Sequence, residues 1–441
     1  MSVTDSTHTS ELAARAKEIT ERELVTYSER TQGSQKATER ARKVLPAGVP
    51  SSFQAYDPHP IVVKHAAGAH MVDVDDNEYV DYDMGFGALF AGHMHPAVRK
   101  AVEAQLDHGS LYVTPCELDA EVAELLGDRY GFPMWRPTNS GTEATMDAIR
   151  LARGVTKREK LVKVEGGYHG HHDEVMVSNK PAITDAGPAD APFSVPQSAG
   201  ITQGTIDDVI VIPYNDAPAL ERVLASREVA CFIVEPVMEN IGICLPEPGY
   251  LQAVREICDK YGTLLIFDEV KTGITAGYGG ATKQLGVTPD LITFAKGVTS
   301  GYLPLSGVIV SRAVCEELEE PGFLLRTGYT YSGHHASCAA GIANLQIMTD
   351  EGLDQRANHV GEKLQEGLRA LAADGHIESW RGMGAVYAAE LGRDSIPVRN
   401  AILEEGVIVR PIGTCLAICP PLVITDDEIG RVIDTMANAL R

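Results

Sequence analysis

The chain has 441 residues, 44% hydrophobic and 22% charged, with 38 Lys and Arg against 61 Asp and Glu for a net charge of −23. That length exceeds one ordinary hydrophobic core and predicts a large domain with a smaller satellite. The acidity argues against a nucleic-acid partner, no apolar run reaches the roughly eighteen residues of a membrane span, and the polar N-terminus lacks an apolar signal core.

Residues 11–45 have helical periodicity, broken near Thr31-Gln32-Gly33 and ended by Pro46 and Gly48. The segment PAGVPSSFQAYDPHP reads as an irregular connection. HMVDVDDNEYVDYDMG predicts two short strands around the turn Asp75-Asp76-Asn77. From about Pro96, helical runs alternate with short β-branched runs: LVKV (161–164), DVIVI (208–212), ACFIVE (230–235), TLLIFDE (263–269), LITFAK (291–296) and LSGVIVS (305–311). Several are continuously apolar, as strands buried on both faces should be. The alternation predicts an α/β fold with a mostly parallel sheet flanked by helices. The Pro-, Gly- and Ser-rich stretch 181–206 reads as a long surface loop and a candidate lid. After about 335 the chain turns helical again. GAVYAAEL, VIVRPI and TCLAICPPLVI then read as strands before a terminal helix, which predicts a smaller α+β domain. The expected division is 1–75, a helical segment and small strands packing with the small domain; 76–333, the large domain; and 334–441, the small one. Eight dispersed cysteines without a C-x-x-C pattern read as buried thiols of a cytoplasmic protein.

Four features carry chemistry. Ser140-Gly141-Thr142 opens a helical run, so free backbone N–H groups, hydroxyls and the positive helix end converge as at an anion site; a simple helix cap is the plainer alternative. Gly166-Gly167-Tyr168-His169-Gly170-His171-His172 follows a strand, where an aromatic can stack on a flat ring. A metal reading of the three histidines lacks a matching carboxylate or cysteine set. Asp268 ends an apolar strand, where a carboxylate needs a partner such as a protonated ring nitrogen. Lys296 ends another apolar strand, where an amine is costly unless paired, neutral or covalently modified, and lysine is the Schiff-base nucleophile. No pair of these features is specific. The ordered set is what pyridoxal 5′-phosphate requires: an anion cradle, a stacking aromatic, a carboxylate and an amine.

The chain resembles the class III aminotransferases, a branch of the fold-type I pyridoxal-phosphate enzymes, over nearly its whole length from about residue 40. NSGTEATMDAIRLARG, EGGYHGHHD, EPVMENIG and IFDEVKTG resemble glutamate-1-semialdehyde aminomutases. KGVTSGYLPLSG, GYTYSGHHASCAAGIANLQ and VIVRPIGTCLAICPPLVIT resemble ω-aminotransferases. The resemblance implies that Lys296 carries the cofactor as an aldimine, Asp268 salt-bridges its ring nitrogen, Val270 packs under the ring and Tyr168 stacks above it. It implies phosphate binding by Ser140, Gly141 and Thr142, with Thr330 reaching the phosphate of a neighbouring subunit in a homodimer. His169, Glu235 and Asn240 fall at positions near the cofactor.

Four positions bear on the substrate. Aminomutases of this kind carry a carboxylate-clamping arginine where this chain has Gln54, although the preceding Ser51 is kept; a neutral amide cannot replace a bidentate guanidinium. Arg410, in VIVRPIG, stands where ω-aminotransferases hold a mobile arginine for the keto-acid carboxylate, and Phe86 falls where the family places an aromatic wall. The expected reaction is ping-pong transamination from an amine or amino acid to a keto acid such as pyruvate. The aminomutase reaction, another pyridoxal reaction such as epimerisation or decarboxylation, and a non-catalytic binding protein are the alternatives.

Overall fold

The computed structural model describes residues 25–441. Three strands come first: β1 (Val63–Ala67), β2 (His70–Asp73) and β3 (Glu78–Asp81). Seven follow: β4 (Met134–Thr138), β5 (Lys160–Val164), β6 (Val209–Ile212), β7 (Val229–Val234), β8 (Leu264–Asp268), β9 (Leu291–Phe294) and β10 (Ser306–Val310). The last five are β11 (Ser379–Met383), β12 (Val386–Glu390), β13 (Val407–Ile408), β14 (Arg410–Ile412) and β15 (Cys415–Ile418).

The central sheet has the order β4-β10-β9-β8-β7-β5-β6. Neighbours from β9 to β6 run parallel, whereas β10 is antiparallel to both β9 and β4. Every residue of β7 is buried, as its unbroken apolar run requires. Alternate side chains serve opposite faces. Cys231 and Ile233 join the core under the helix Gly141–Thr156. Phe232 and Val234 join the core under the helices Ala217–Leu224 and Tyr250–Tyr261. This is the expected α/β architecture of a parallel-dominant sheet between helical layers.

Three strands have no counterpart among the sequence-predicted runs. β1 (VKHAA) is mostly exposed and carries no continuous apolar run. β4 contains Pro137 and lies at the sheet edge, the position where a missing backbone donor is tolerated. β11 is only partly buried and lacks an apolar run. The predicted strand VIVRPI is two strands. β13 pairs in parallel with β3, and β14 pairs antiparallel with β15, so the chain changes sheets at Val409. The first predicted helix is described from residue 25 on; its continuation Gln32–Ala41 follows a non-helical Thr31, close to the predicted break. The part over 11–24 lies outside the described residues. The hairpin of β2 and β3 runs to Asp81, across position 75. Residues 181–200 contain no helix or strand. All eight cysteines are free thiols. Among the described residues no helix is long and apolar enough to cross a membrane.

A buried ion pair ties a helix that precedes the central sheet to one that follows it. Arg129, on the helix Glu117–Tyr130, donates from Nη1 to Asp354 Oδ2 at 2.9 Å, and Asp354 opens the helix Leu353–Ala373. Both side chains are under 5% exposed. Removing one partner strands the other charge away from water, at a cost of about 3–5 kcal/mol. Asp354→Ala should therefore destabilise the protein by about 3 kcal/mol in denaturant titration. Arg129→Met combined with Asp354→Leu should recover most of that loss.

Candidate active site

The site begins where parallel strands end. The C-terminal ends of β5, β7, β8 and β9 deliver, respectively, Tyr168 and His169, Glu235, Asp268, and Lys296 to one edge of the sheet. Loops at that edge are where an open α/β sheet binds ligands. Strand alternation separates neighbouring carboxylates. Asp268 lines the cavity, while Glu269 turns away, accepting hydrogen bonds from the N–H groups of Ala281 and Thr282 and from Thr272 Oγ1. Glu269 thus anchors the turn that carries Asp268.

Asp268 is 4% exposed and held from three directions. Its Oδ1 accepts from Val270 N–H and Thr293 Oγ1, each at 3.1 Å. Its Oδ2 lies 2.8 Å from His169 Nδ1. Burial lowers the pKa of His169, so the imidazole is neutral and its Nδ1–H donates to the carboxylate. His169 Nε2 is buried without a hydrogen-bond partner. Glu235 Oε1 accepts from Tyr168 N–H at 3.0 Å, which pins the loop carrying the aromatic ring. Burial raises the Glu235 carboxyl to about 7, with Asp268 as the next cause.

Lys296 lies just past β9, at the first position of a 3₁₀ turn and not within the strand. Its φ of 43° is in the left-handed region, which a lysine adopts at a cost. The turn aims the side chain into the cavity. Burial lowers the amine to about 8, followed by the positive charges of Lys271 and Arg410.

The anion end is the N-terminus of the sixteen-residue helix Gly141–Thr156, where Gly141 and Thr142 line the cavity. Ser140 is the helix cap: its Oγ accepts from Glu143 N–H at 3.2 Å, and the residue is exposed outside the cavity wall. Gly141 has to be small. A Cβ there would stand 3.1 Å from Val270 Cγ2, so a side chain would press on the residue expected beneath the ring.

The opposite wall comes from the sheet exchange at Val409. β13 lies in parallel register beside β3, with Val407 opposite Val80 and Ile408 opposite Asp81. The residues that follow each strand therefore emerge side by side. After β3 comes a turn in which Gly85, Phe86 and Gly87 all have positive φ; after β13 comes Arg410. The Arg410 guanidinium carbon lies 5.5 Å from the Phe86 ring centre, and its Nη2 donates to Asn240 Oδ1 at 2.7 Å.

The enclosed cavity is about 270 Å³. It brings together Ser51, Phe86, Gly141, Thr142, Tyr168, His169, Glu235, Asn240, Asp268, Val270, Lys296 and Arg410. It leaves out Gln54, which is exposed, and Thr330, which is exposed in the turn after residue 325. Of the three clustered histidines, His169 serves Asp268, His172 lies 3.2 Å from Glu174, and His171 is exposed. Three cavity residues are not among the expected site residues: Gly170, Phe53 and Lys271. Phe53 meets Tyr168 edge-on at 5.7 Å and Phe86 at 6.5 Å, but it sits in a segment without periodicity. Lys271 directly follows the recognised Asp268-Glu269-Val270 and was the one available signal there.

These groups fit pyridoxal phosphate. The carboxylate has partners on every oxygen yet borders the cavity, the amine faces in, the helix end is open, and aromatic rings flank the space. A model of the family described as Aminotransferase class-III matches residues 52–440. The chain is 43% identical over 420 residues to a glutamate-1-semialdehyde 2,1-aminomutase of Ignicoccus hospitalis, covering 91% of this chain and 97% of that one. An ω-transaminase structure from Sphaerobacter thermophilus superposes with a TM-score of 0.86 at 31% identity, covering 92% and 97%. A variant glutamate-1-semialdehyde-aminomutase from Pseudomonas aeruginosa PAO1, solved in complex with PMP, gives a TM-score of 0.85 at 26% identity, covering 97% and 99%. The chain belongs to the class III aminotransferases, enzymes of fold type I that work with pyridoxal 5′-phosphate.

Proposed function

We propose that this enzyme moves an amino group within a small carboxylate-bearing substrate, as a glutamate-1-semialdehyde 2,1-aminomutase does. The observation that carries the reading is the near-full-length identity of 43% to a relative of that name, with Gly141, Thr142, Tyr168, Asp268 and Lys296 in one cavity. A second reading is transamination to a keto acid, which the sequence favours. Its support is specific: Gln54 is exposed outside the cavity, Arg410 lines it, and an ω-transaminase structure superposes closely.

Both readings use the same residues. Pyridoxal phosphate, when bound, supplies a ring that withdraws electrons from the substrate carbon bearing the nitrogen. Asp268 stands ready to hold a proton on a ring nitrogen, its negative charge maintained by donors from Val270, Thr293 and His169. Gly141, Thr142 and the helix end would hold the phosphate, and Tyr168 and Val270 would pack against the ring. Lys296 would take a proton at Nζ from the carbon bearing the nitrogen and return it to the carbon on the nitrogen's other side, as base and then acid. Phe53, Phe86 and Tyr168 exclude water from that transfer. Assembly as a homodimer, with Thr330 of one copy completing the phosphate site of the other, belongs to the same proposal. Its support is that Thr330 is exposed and takes no part in its own chain's cavity.

Supplying glutamate-1-semialdehyde alone, with no keto acid, distinguishes the readings. Sustained formation of the isomeric amino acid is expected. A single stoichiometric half-turnover that resumes only when pyruvate or another keto acid is added would instead establish transamination. Lys296→Ala should lower multiple turnover by at least about 10³-fold in steady-state assays, because the mobile proton loses its carrier.

The pH dependence of cofactor uptake follows from the depressed amine. Lys296 attacks only when neutral, and a lowered pKa makes it neutral at lower pH. Covalent uptake by cofactor-free enzyme, followed by absorbance, should rise with pH to a plateau with a midpoint near 8, not near the ordinary lysine value of 10.5.

A further inference from the structure

Lys271 follows Val270 at the end of β8 and lines the cavity. Its side chain is only 12% exposed. The nearest acidic oxygen, Glu239 Oε2, is 3.9 Å away, beyond hydrogen-bond reach. Among the described residues, no hydrogen bond engages its three N–H donors. Glu239 is itself 3% exposed; its Oε1 accepts from Thr275 Oγ1 at 3.0 Å, and Oε2 has no hydrogen-bond partner. Glu239 does not line the cavity, so it balances the ammonium from the protein side.

A nearly buried ammonium with three unused donors is costly unless an acceptor arrives. The direction left open to it is the cavity. The other two candidates for a substrate carboxylate are placed differently. Gln54 is exposed and outside, and Arg410 commits part of its donor fork to Asn240 and lies over Phe86. The geometry points to Lys271 as a specificity-determining residue that donates to the carboxylate of the substrate, with Glu239 as the counter-charge that positions it. The ligand class is a small carboxylate whose apolar part lies against Phe53, Phe86 and Tyr168. The inference rests on the proposed function in assuming a carboxylate-bearing substrate.

Equilibrium binding to the cofactor-loaded enzyme tests it without turnover. The probes are 3-phenylpropanoate and its neutral isostere 3-phenylpropanamide, titrated by calorimetry. Wild-type enzyme should bind the carboxylate more tightly than the amide. Lys271→Met and Lys271→Gln should each weaken the carboxylate about 10- to 100-fold, the scale of one charge-assisted hydrogen bond, and so erase the preference. Lys271→Arg should keep the preference to within a few-fold. With amino donors, the same loss should appear in KM rather than kcat. Three results would each overturn the inference: no wild-type preference, equal weakening of both probes in the Lys271 variants, or a preference abolished by Arg410→Ala and untouched by Lys271→Met. A Lys271-dependent carboxylate preference in an enzyme that transfers no amino group would sink the proposed function and leave this inference standing.

Discussion

A carboxylate at the end of a central β-strand cannot stay charged in a protein interior unless its oxygens are satisfied. Asp268 meets that condition with a backbone N–H, a threonine hydroxyl and a neutral imidazole. The three donors come from the turn after β8, from β9 and from the loop after β5. Holding one carboxylate therefore fixes three strand ends relative to one another. The same contacts set Tyr168 beside His169, Val270 beside Asp268, and Lys296 three residues beyond Thr293. Much of the cofactor site is a consequence of charging that single group.

The wall facing the sheet has a different origin. It depends on the chain leaving one sheet and entering another within three residues, between Ile408 and Arg410. Because β13 runs parallel to β3, segments more than three hundred residues apart place Phe86 and Arg410 in contact. One wall of the cavity is thus built by the small sheets, and its floor by the large one. The buried pair of Arg129 and Asp354 fixes helices from before and after the central sheet against each other. Relative movement of the two walls has to work against such contacts.

The cations of the cavity divide the labour by their partners. Lys296 sits near Lys271 and Arg410, and this positive surround together with burial favours its neutral form. Arg410 leans on an aromatic face and an amide oxygen, a soft anchorage that leaves donors to spare. Lys271 has a counter-charge behind it and open donors ahead. One cavity thereby places the amine of Lys296, whose proton burial and neighbouring cations loosen, beside two further basic side chains with different partners.

Motif order along the chain was enough to identify the family, because most of the groups expected to face the cofactor follow strands whose apolar runs are legible locally. Asp268, Lys296 and Tyr168 were readable for that reason, and so was the parallel sheet, whereas the Gly141-Thr142 helix start was legible from its Ser-Gly-Thr turn alone. β4 and β11 were not, since an edge strand with a proline and a half-exposed strand carry no continuous apolar signal. The VIVRPI run read as one strand because local pattern reports burial and not pairing partner. Phe53 and Gln54 are neighbours in an aperiodic segment, and only the folded chain shows that the first enters the cavity and the second faces solvent. Ser140 belongs to the phosphate motif by sequence, yet its hydroxyl caps the helix. The sequence by itself determined the fold type and the cofactor, since those follow from local burial and motif order. Which side chains form the wall facing the sheet, and which cations still have donors free, were decided by the tertiary structure alone, because they depend on contacts between segments hundreds of residues apart.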